Sequence, residues 1–108
     1  MSVIDTNIAI ERVKSNSDIY ENITEVTLVE YPPIIDYPKF YGKILPIDRK
    51  DILLAIEIQR RLRTIGKQKP FADLLIASIC INRNEELITK DKDFLDIAKV
   101  SNLRVRII

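Results

Sequence analysis

Histidine and tryptophan are absent from this chain of 108 residues, which also has only one cysteine and two glycines. Without histidine, Ser–His and Cys–His catalytic arrangements, histidine general bases and most zinc sites are excluded. The single cysteine, Cys80, excludes a disulfide framework and a cysteine-rich zinc site, and its apolar neighbours predict a buried packing role. Gly42 and Gly66 are too few for a glycine-rich phosphate loop. Any chemistry must therefore use carboxylates, lysines, hydroxyls or a hard metal ion.

Long apolar runs are absent as well. The longest nearly uncharged stretch, residues 74–82, is far shorter than the roughly 20 residues that span a bilayer. Residues 1–12 carry Asp5 and Glu11 and lack the basic segment and apolar run of a targeting signal. We therefore expect a cytoplasmic protein that does not enter the membrane.

The composition is that of a folded chain, with 46% hydrophobic and 31% charged residues. This balance excludes intrinsic disorder, and the length predicts a single domain over residues 1–108. The formal net charge is only +1, but the charges are segregated. Residues 1–36 hold seven acids against two bases, whereas residues 49–69 hold seven bases against two acids. The two segments are either solvated surfaces or an acidic site with a basic rim that holds a phosphate backbone.

Apolar periodicity predicts strands that alternate with helices. The expected strands cover residues 3–6, 23–27, 86–89 and 104–108. The expected helices cover residues 7–12, 52–65, 72–81 and 94–99. Such alternation predicts an α/β fold with a parallel sheet.

Carboxylates follow the predicted strands, where ligand sites of open α/β sheets lie. Asp5 ends the first strand, Glu30 lies just beyond the second, and Asp91 follows the third. Asp73 lies in the first turn of the helix after Pro70. Carboxylates that cluster repel one another, so a cluster is tolerated mainly when a cation neutralises it. Oxygen ligands alone suit Mg²⁺ or Mn²⁺.

Each acid also has a purely structural explanation. Asp5 is a suitable cap for the first helix, and Asp73 complements a helix dipole. Glu30 is equally interpretable as an exposed helical acid, while Asp91 and Asp93 suit a turn or cap before the next helix. The presence of an acid near the end of each successive element favours a site over four unrelated caps.

Four segments resemble the motifs of the PIN-domain family, in the family's order. Residues 3–10 (VIDTNIAI) resemble its opening strand and Asp-Thr-Asn motif, and residues 24–31 (TEVTLVEY) its second motif. Residues 71–77 (FADLLIA) and 87–94 (LITKDKDF) are similar to its third and fourth motifs. The resemblance extends over nearly the whole chain, and its compact size is most similar to the VapC ribonuclease toxins.

The resemblance implies a three-layer α/β/α fold with a central, mostly parallel sheet. It also implies an endoribonuclease that depends on Mg²⁺ or Mn²⁺. Its metal-binding and catalytic residues would be Asp5, Glu30, Asp73 and Asp91. Asp93, Asn7, Thr6 and Thr89 would be accessory to that site. The RNA backbone would be held by the basic segment, namely Arg49, Lys50, Arg60, Arg61, Arg63, Lys67 and Lys69.

The implied partners are an RNA substrate, a second copy of the chain, and a small VapB-like antitoxin whose tail inserts an arginine among the acids. The chain departs from the family between Asp5 and Glu30, where the segment is short, and after Glu30, where Pro32 and Pro33 follow.

Two alternatives stay open. One is a non-catalytic PIN-like module that binds RNA or protein, and the other is a phosphoryl-transfer or receiver-type α/β protein.

Overall fold

The computed structural model describes residues 1–108. Its strands are β1 (Ser2–Ile4), β2 (Ile23–Thr24), β3 (Ile44–Leu45), β4 (Glu86–Thr89) and β5 (Arg104–Ile107). Its α-helices are α1 (Thr6–Lys14), α2 (Glu25–Glu30), α3 (Arg49–Thr64), α4 (Phe71–Asn82) and α5 (Phe94–Lys99). A short 3₁₀ helix, Pro32–Asp36, follows α2. None of the helices has the length and hydropathy needed to cross a membrane.

All the strand pairs are parallel. β4 lies between β1 and β5, with Leu87 opposite Val3 on one side and Val105 on the other. β2 pairs with β3, and a single bridge between Val3 and Asn22 connects that pair to β1. Parallel neighbours need crossover connections, which the intervening helices provide.

The two faces of the sheet carry two separate hydrophobic clusters. Val3 and Leu87 belong to the cluster beneath α3, α4 and α5, whereas Ile4 and Ile88 belong to the cluster beneath α1. This division follows from the alternation of side chains along a strand. Helices on both faces of a parallel sheet confirm the expected three-layer α/β/α architecture.

Helix α4 is the most deeply buried helix, because every residue from Leu74 to Cys80 is buried. Pro70 precedes its first residue with an extended backbone, which suits the start of a helix. The N-terminal turn of α4, with Asp73, therefore has a fixed position against the rest of the molecule.

A buried charged network joins the N-terminus of α3 to the C-terminus of α4. Asp51 is fully buried and accepts hydrogen bonds from the Asp48 backbone N–H (2.8 Å), Asn82 (2.8 Å) and Arg83 (3.0 Å). Burial raises the pKa of Asp51, but the hydrogen bonds from Arg83, Asn82 and Asp48 outweigh it and hold that pKa below its ordinary value.

Two of the predicted strands were wrong in part. The strand expected at residues 23–27 ends at Thr24, and residues 25–30 form helix α2, because Thr24 caps that helix by accepting the Thr27 N–H. The strand expected at residues 3–6 ends at Ile4, and Thr6 is the first residue of α1. Strand β3 was not predicted, since two residues offer no periodic pattern.

Candidate active site

Asp5 lies at the junction of β1 and α1. It is the N-cap of α1, accepting the Thr6 N–H at 2.8 Å, and its other oxygen accepts the Thr89 hydroxyl at 2.8 Å. The side chain is only 7% exposed. Burial raises the pKa of Asp5, against the two hydrogen bonds, and repulsion from Asp91 and Glu30 adds to the increase. The predicted cap and the predicted site residue are therefore the same carboxylate.

Glu30 is held next to Asp5 by hydrogen bonds of Thr6. The Thr6 hydroxyl donates to Glu30 Oε1 at 2.6 Å and also bonds the Thr27 hydroxyl at 2.9 Å. Glu30 ends helix α2 and is exposed, so the expectation that it follows a strand was wrong and its interpretation as an exposed helical acid is confirmed. Its side chain nevertheless reaches the N-terminal turn of α1.

Thr89 links Asp5 to the loop after β4. Its hydroxyl oxygen accepts the Asp91 N–H at 3.0 Å while the same hydroxyl donates to Asp5. Asp91 in turn accepts the Asp93 N–H at 2.9 Å, which closes a turn before α5. The loop that carries Asp91 is thus fixed to the end of the sheet beside Asp5.

Asp73 comes to the same end of the sheet from α4. Its pKa is raised to about 6. Burial is the largest cause, and repulsion between carboxylates is the second. The carboxylates that repel it are, in falling order of effect, Asp5, Asp91, Glu30 and Asp93. Acids from three other segments therefore act on one half-buried carboxyl group.

The donor chemistry of these residues fits a hard divalent cation, because every donor is a carboxylate or hydroxyl oxygen. The repulsion that raises the pKa of Asp73 is the repulsion that a cation would relieve. As the side chains stand, no group of three or more acidic, histidine or cysteine side chains is arranged to hold an ion. A complete ligand set would therefore require the carboxylates to turn toward a shared ion.

The remaining predicted residues differ in whether their side chains have a hydrogen-bond or ion-pair partner. Asn7 is exposed on α1 and its side chain makes no hydrogen bond, whereas Lys69 binds Asp96 at 2.8 Å and lies 3.6 Å from Asp93. Arg61 bonds Glu57 and the Val100 carbonyl. The members of the basic segment that make no ion pair or side-chain hydrogen bond are Arg49, Lys50, Arg60, Arg63 and Lys67.

Thr27 was missed by the sequence analysis. It is fully buried and lies three residues before Glu30, on the same helical face. That spacing would have indicated its role had residues 25–30 been interpreted as a helix. Lys69 was predicted to bind the RNA backbone, but its amine forms ion pairs with Asp96 of α5 and Asp93 of the preceding turn.

The family model described as PIN domain matches residues 38–100. Curated proteins offer no match to this sequence. The fold is similar to a chain of VapBC2 from Rickettsia felis bound to promoter DNA, with a TM-score of 0.76 and 20% identity over 97% of this chain and 96% of that one.

Two further solved structures have the same fold. VapBC-5 from Mycobacterium tuberculosis, of the VapBC family of toxin–antitoxin systems, has a TM-score of 0.76 and 20% identity, covering 99% of this chain and 98% of that one. FitAcB from Neisseria gonorrhoeae has a TM-score of 0.70 and 20% identity, covering 97% and 96% of the two chains.

Proposed function

Because the chain belongs to the PIN-domain family, we propose that it is an endoribonuclease that hydrolyses RNA phosphodiesters with Mg²⁺ or Mn²⁺. Asp5, Glu30, Asp73 and Asp91 would hold the cation. The observation that carries the proposal is that acids from separate elements share one end of the sheet: Thr89 joins Asp5 to the Asp91 loop, and Thr6 joins the start of α1 to Glu30. The raised pKa of Asp73 agrees with this arrangement. Family membership sets aside the receiver-type alternative.

The neighbouring hydroxyls and backbone would keep the carboxylates in position during catalysis. Thr89 and the Thr6 N–H hold the two oxygens of Asp5, and the Thr6 hydroxyl holds Glu30. When bound, a divalent cation supplies positive charge to the phosphodiester and makes water a better nucleophile. Asp73 or Glu30 would accept the proton of the attacking water. The free basic residues of α3 and the following loop would bind phosphates without reading the base sequence.

We test the proposal by incubating the purified protein with a mixed RNA pool in Mn²⁺ or in EDTA. The expected result is cleavage in Mn²⁺, none in EDTA, and none with Asp5→Asn, because the amide cannot neutralise a cation. Asp18→Asn is the matched control, since Asp18 lies beyond the far end of α1 and its side chain bonds only the Tyr20 hydroxyl. Cleavage by Asp5→Asn at the wild-type rate would contradict the mechanism.

We also propose that the protein is the toxin of a toxin–antitoxin pair, as a VapC-type, cytoplasmic homodimer with a VapB-like antitoxin. Support comes from the fold, which it shares with chains of VapBC complexes. The expected mass in solution is about twice the chain mass of 12.5 kDa. Growth arrest on expression, relieved by the product of a neighbouring small gene, is the expected phenotype.

A non-catalytic PIN-like module is the second candidate. One observation favours it: Asp5 caps a helix, Asp91 closes a turn, and no three acids are arranged around an ion. Such a module would gain no stability from Mn²⁺ and would not cleave the RNA pool, whatever its affinity for RNA.

A further inference from the structure

A groove with an apolar floor and a basic rim lies between α3 and α4. Its volume is about 370 Å³, within the size range of sites for small ligands. Ala55, Leu74 and Leu75 contribute to its floor, and the exposed residues of its rim are Ile52, Ile56, Arg60, Arg63 and Phe71. No carboxylate lines it.

The two rim arginines have no bonded partner in the protein. Five of the eight arginines bond acidic side chains or backbone carbonyls, namely Arg12, Arg61, Arg83, Arg104 and Arg106. Arg60 and Arg63 make no such bond, and they are three residues apart on one face of α3. Their planar charged groups are therefore available to an anionic ligand, and phosphate oxygens suit them.

Phe71 is the aromatic member of the rim. It is 72% exposed, although it is the first residue of the most buried helix of the molecule. It lies two residues before Asp73, so the two side chains point to opposite sides of one helical turn. Since a helix is roughly 10–12 Å across, an extended ligand of that length that passes over the N-terminal end of α4 can reach from the groove to the acids.

We propose that this groove binds the single-stranded RNA next to the cleaved phosphodiester, with a base stacked on Phe71 and phosphates held by Arg60 and Arg63. The inference rests on the proposed ribonuclease function and adds a specific binding place to it. An exposed aromatic ring beside free arginines is the combination that binds single strands, because every base offers an apolar face and every nucleotide a charge. The two free arginines, with no acid in the lining to neutralise them, favour an anionic RNA strand over an apolar protein segment.

Binding is measured by the fluorescence anisotropy of a fluorescein-labelled, single-stranded RNA of 12 nucleotides and mixed sequence, with EDTA present to prevent cleavage. Phe71→Ala is expected to weaken binding roughly 5- to 150-fold, the equivalent of about 1–3 kcal/mol for one stacked base. Phe71→Tyr retains the stacking ring and should bind within about twofold of the wild type. In Mn²⁺, Phe71→Ala should raise KM and leave kcat largely unchanged.

The arginines are tested by the salt dependence of the same binding. Arg60→Ala/Arg63→Ala should reduce the slope of log K against log salt by about 1.4, since each phosphate contact to a single strand contributes about 0.7. Lys14→Ala is the matched control: Lys14 is also exposed and makes no ion pair or side-chain hydrogen bond, but it ends α1, on the opposite face of the sheet from α3. It should change neither affinity nor slope.

The outcomes separate this inference from the function on which it rests. If the wild type cleaves RNA in Mn²⁺ but Phe71→Ala and Arg60→Ala/Arg63→Ala bind and cleave normally, the groove assignment is wrong and the ribonuclease stands. If these variants halve the mass in solution without changing RNA affinity, the groove is a protein contact and the inference is overturned. If the wild type neither binds nor cleaves RNA, both proposals fail.

Discussion

The Thr6 hydroxyl connects α1 to α2, because it forms hydrogen bonds with both Thr27 and Glu30 of α2. In Thr6→Val it is replaced by a methyl group of similar size, so the buried Thr27 hydroxyl loses a partner and Glu30 loses its donor. We expect a loss of about 1–3 kcal/mol in the free energy of unfolding and a lower kcat. Urea denaturation and cleavage assays check this. Thr6→Ser keeps the hydroxyl and should retain both properties; equal losses in Ser and Val would refute the hydrogen-bond explanation.

Asp73 should make the metal-free protein less stable as the pH rises. Its pKa is raised to about 6 in the folded state from 3.8, so the folded protein binds more protons than the unfolded chain between those values. The contribution of Asp73 to the free energy of unfolding is therefore greatest below about pH 4 and falls as the pH passes through 6. The raised pKa of Asp5 acts in the same direction.

Asp73→Asn removes the contribution of Asp73 to this pH dependence, because the amide carries no charge, and leaves that of Asp5. After allowance for solvent screening, the gain near pH 7.5 is about 1 kcal/mol, or roughly 4–8 °C in Tm. Thermal melts of both proteins in EDTA between pH 4 and 8 test it, with Asp18→Asn as the control. A difference in Tm between Asp73→Asn and the wild type that stays the same from pH 4 to 8 would disprove the repulsion.

At the scale of the element, the long helices and the last strands could be predicted from the sequence, because their apolar patterns extend over several turns or a whole strand. Residues 23–27 could not: their β-branched side chains favour a strand, yet Thr24 caps a helix. The residues of the candidate site could be predicted from the order of the acids along the sequence. The hydroxyl link from Thr6 to Glu30 could not be predicted, since it depends on the packing of α1 against α2.

The junction of α3 and α4 offers a test of stability separate from catalysis. Asp51→Ala leaves Arg83 without its main buried partner, and we expect a loss of about 3–5 kcal/mol. The network lies at the C-terminal end of α4, whereas Asp73 lies in its first turn. Cleavage per folded molecule at low temperature should therefore be unchanged. A fall in kcat while the circular dichroism spectrum stays native would contradict this separation.

For the molecule as a whole, a divalent cation should be a stabilising ligand. Binding to the folded state alone adds about 2.7 kcal/mol at a hundredfold excess over Kd. We therefore expect Mn²⁺ to raise the Tm of the wild type above its value in EDTA at pH 7.5, and to have no such effect on Asp5→Asn. Calorimetry or a dye-based melt measures the difference. An equal rise in both proteins would indicate binding away from the acids.

Because β4 is the middle strand, the order of synthesis governs when the acids can meet. Val3 pairs with Leu87, and Asp5 accepts a hydrogen bond from Thr89, so β1 has only its bridge to Asn22 until residues 86–89 are made. Contacts so distant in sequence form late and slowly. A nascent chain still attached to its ribosome therefore cannot assemble the four carboxylates until residues 86–91 have emerged, so the proposed nuclease site cannot form before β4 and the loop after it have been made.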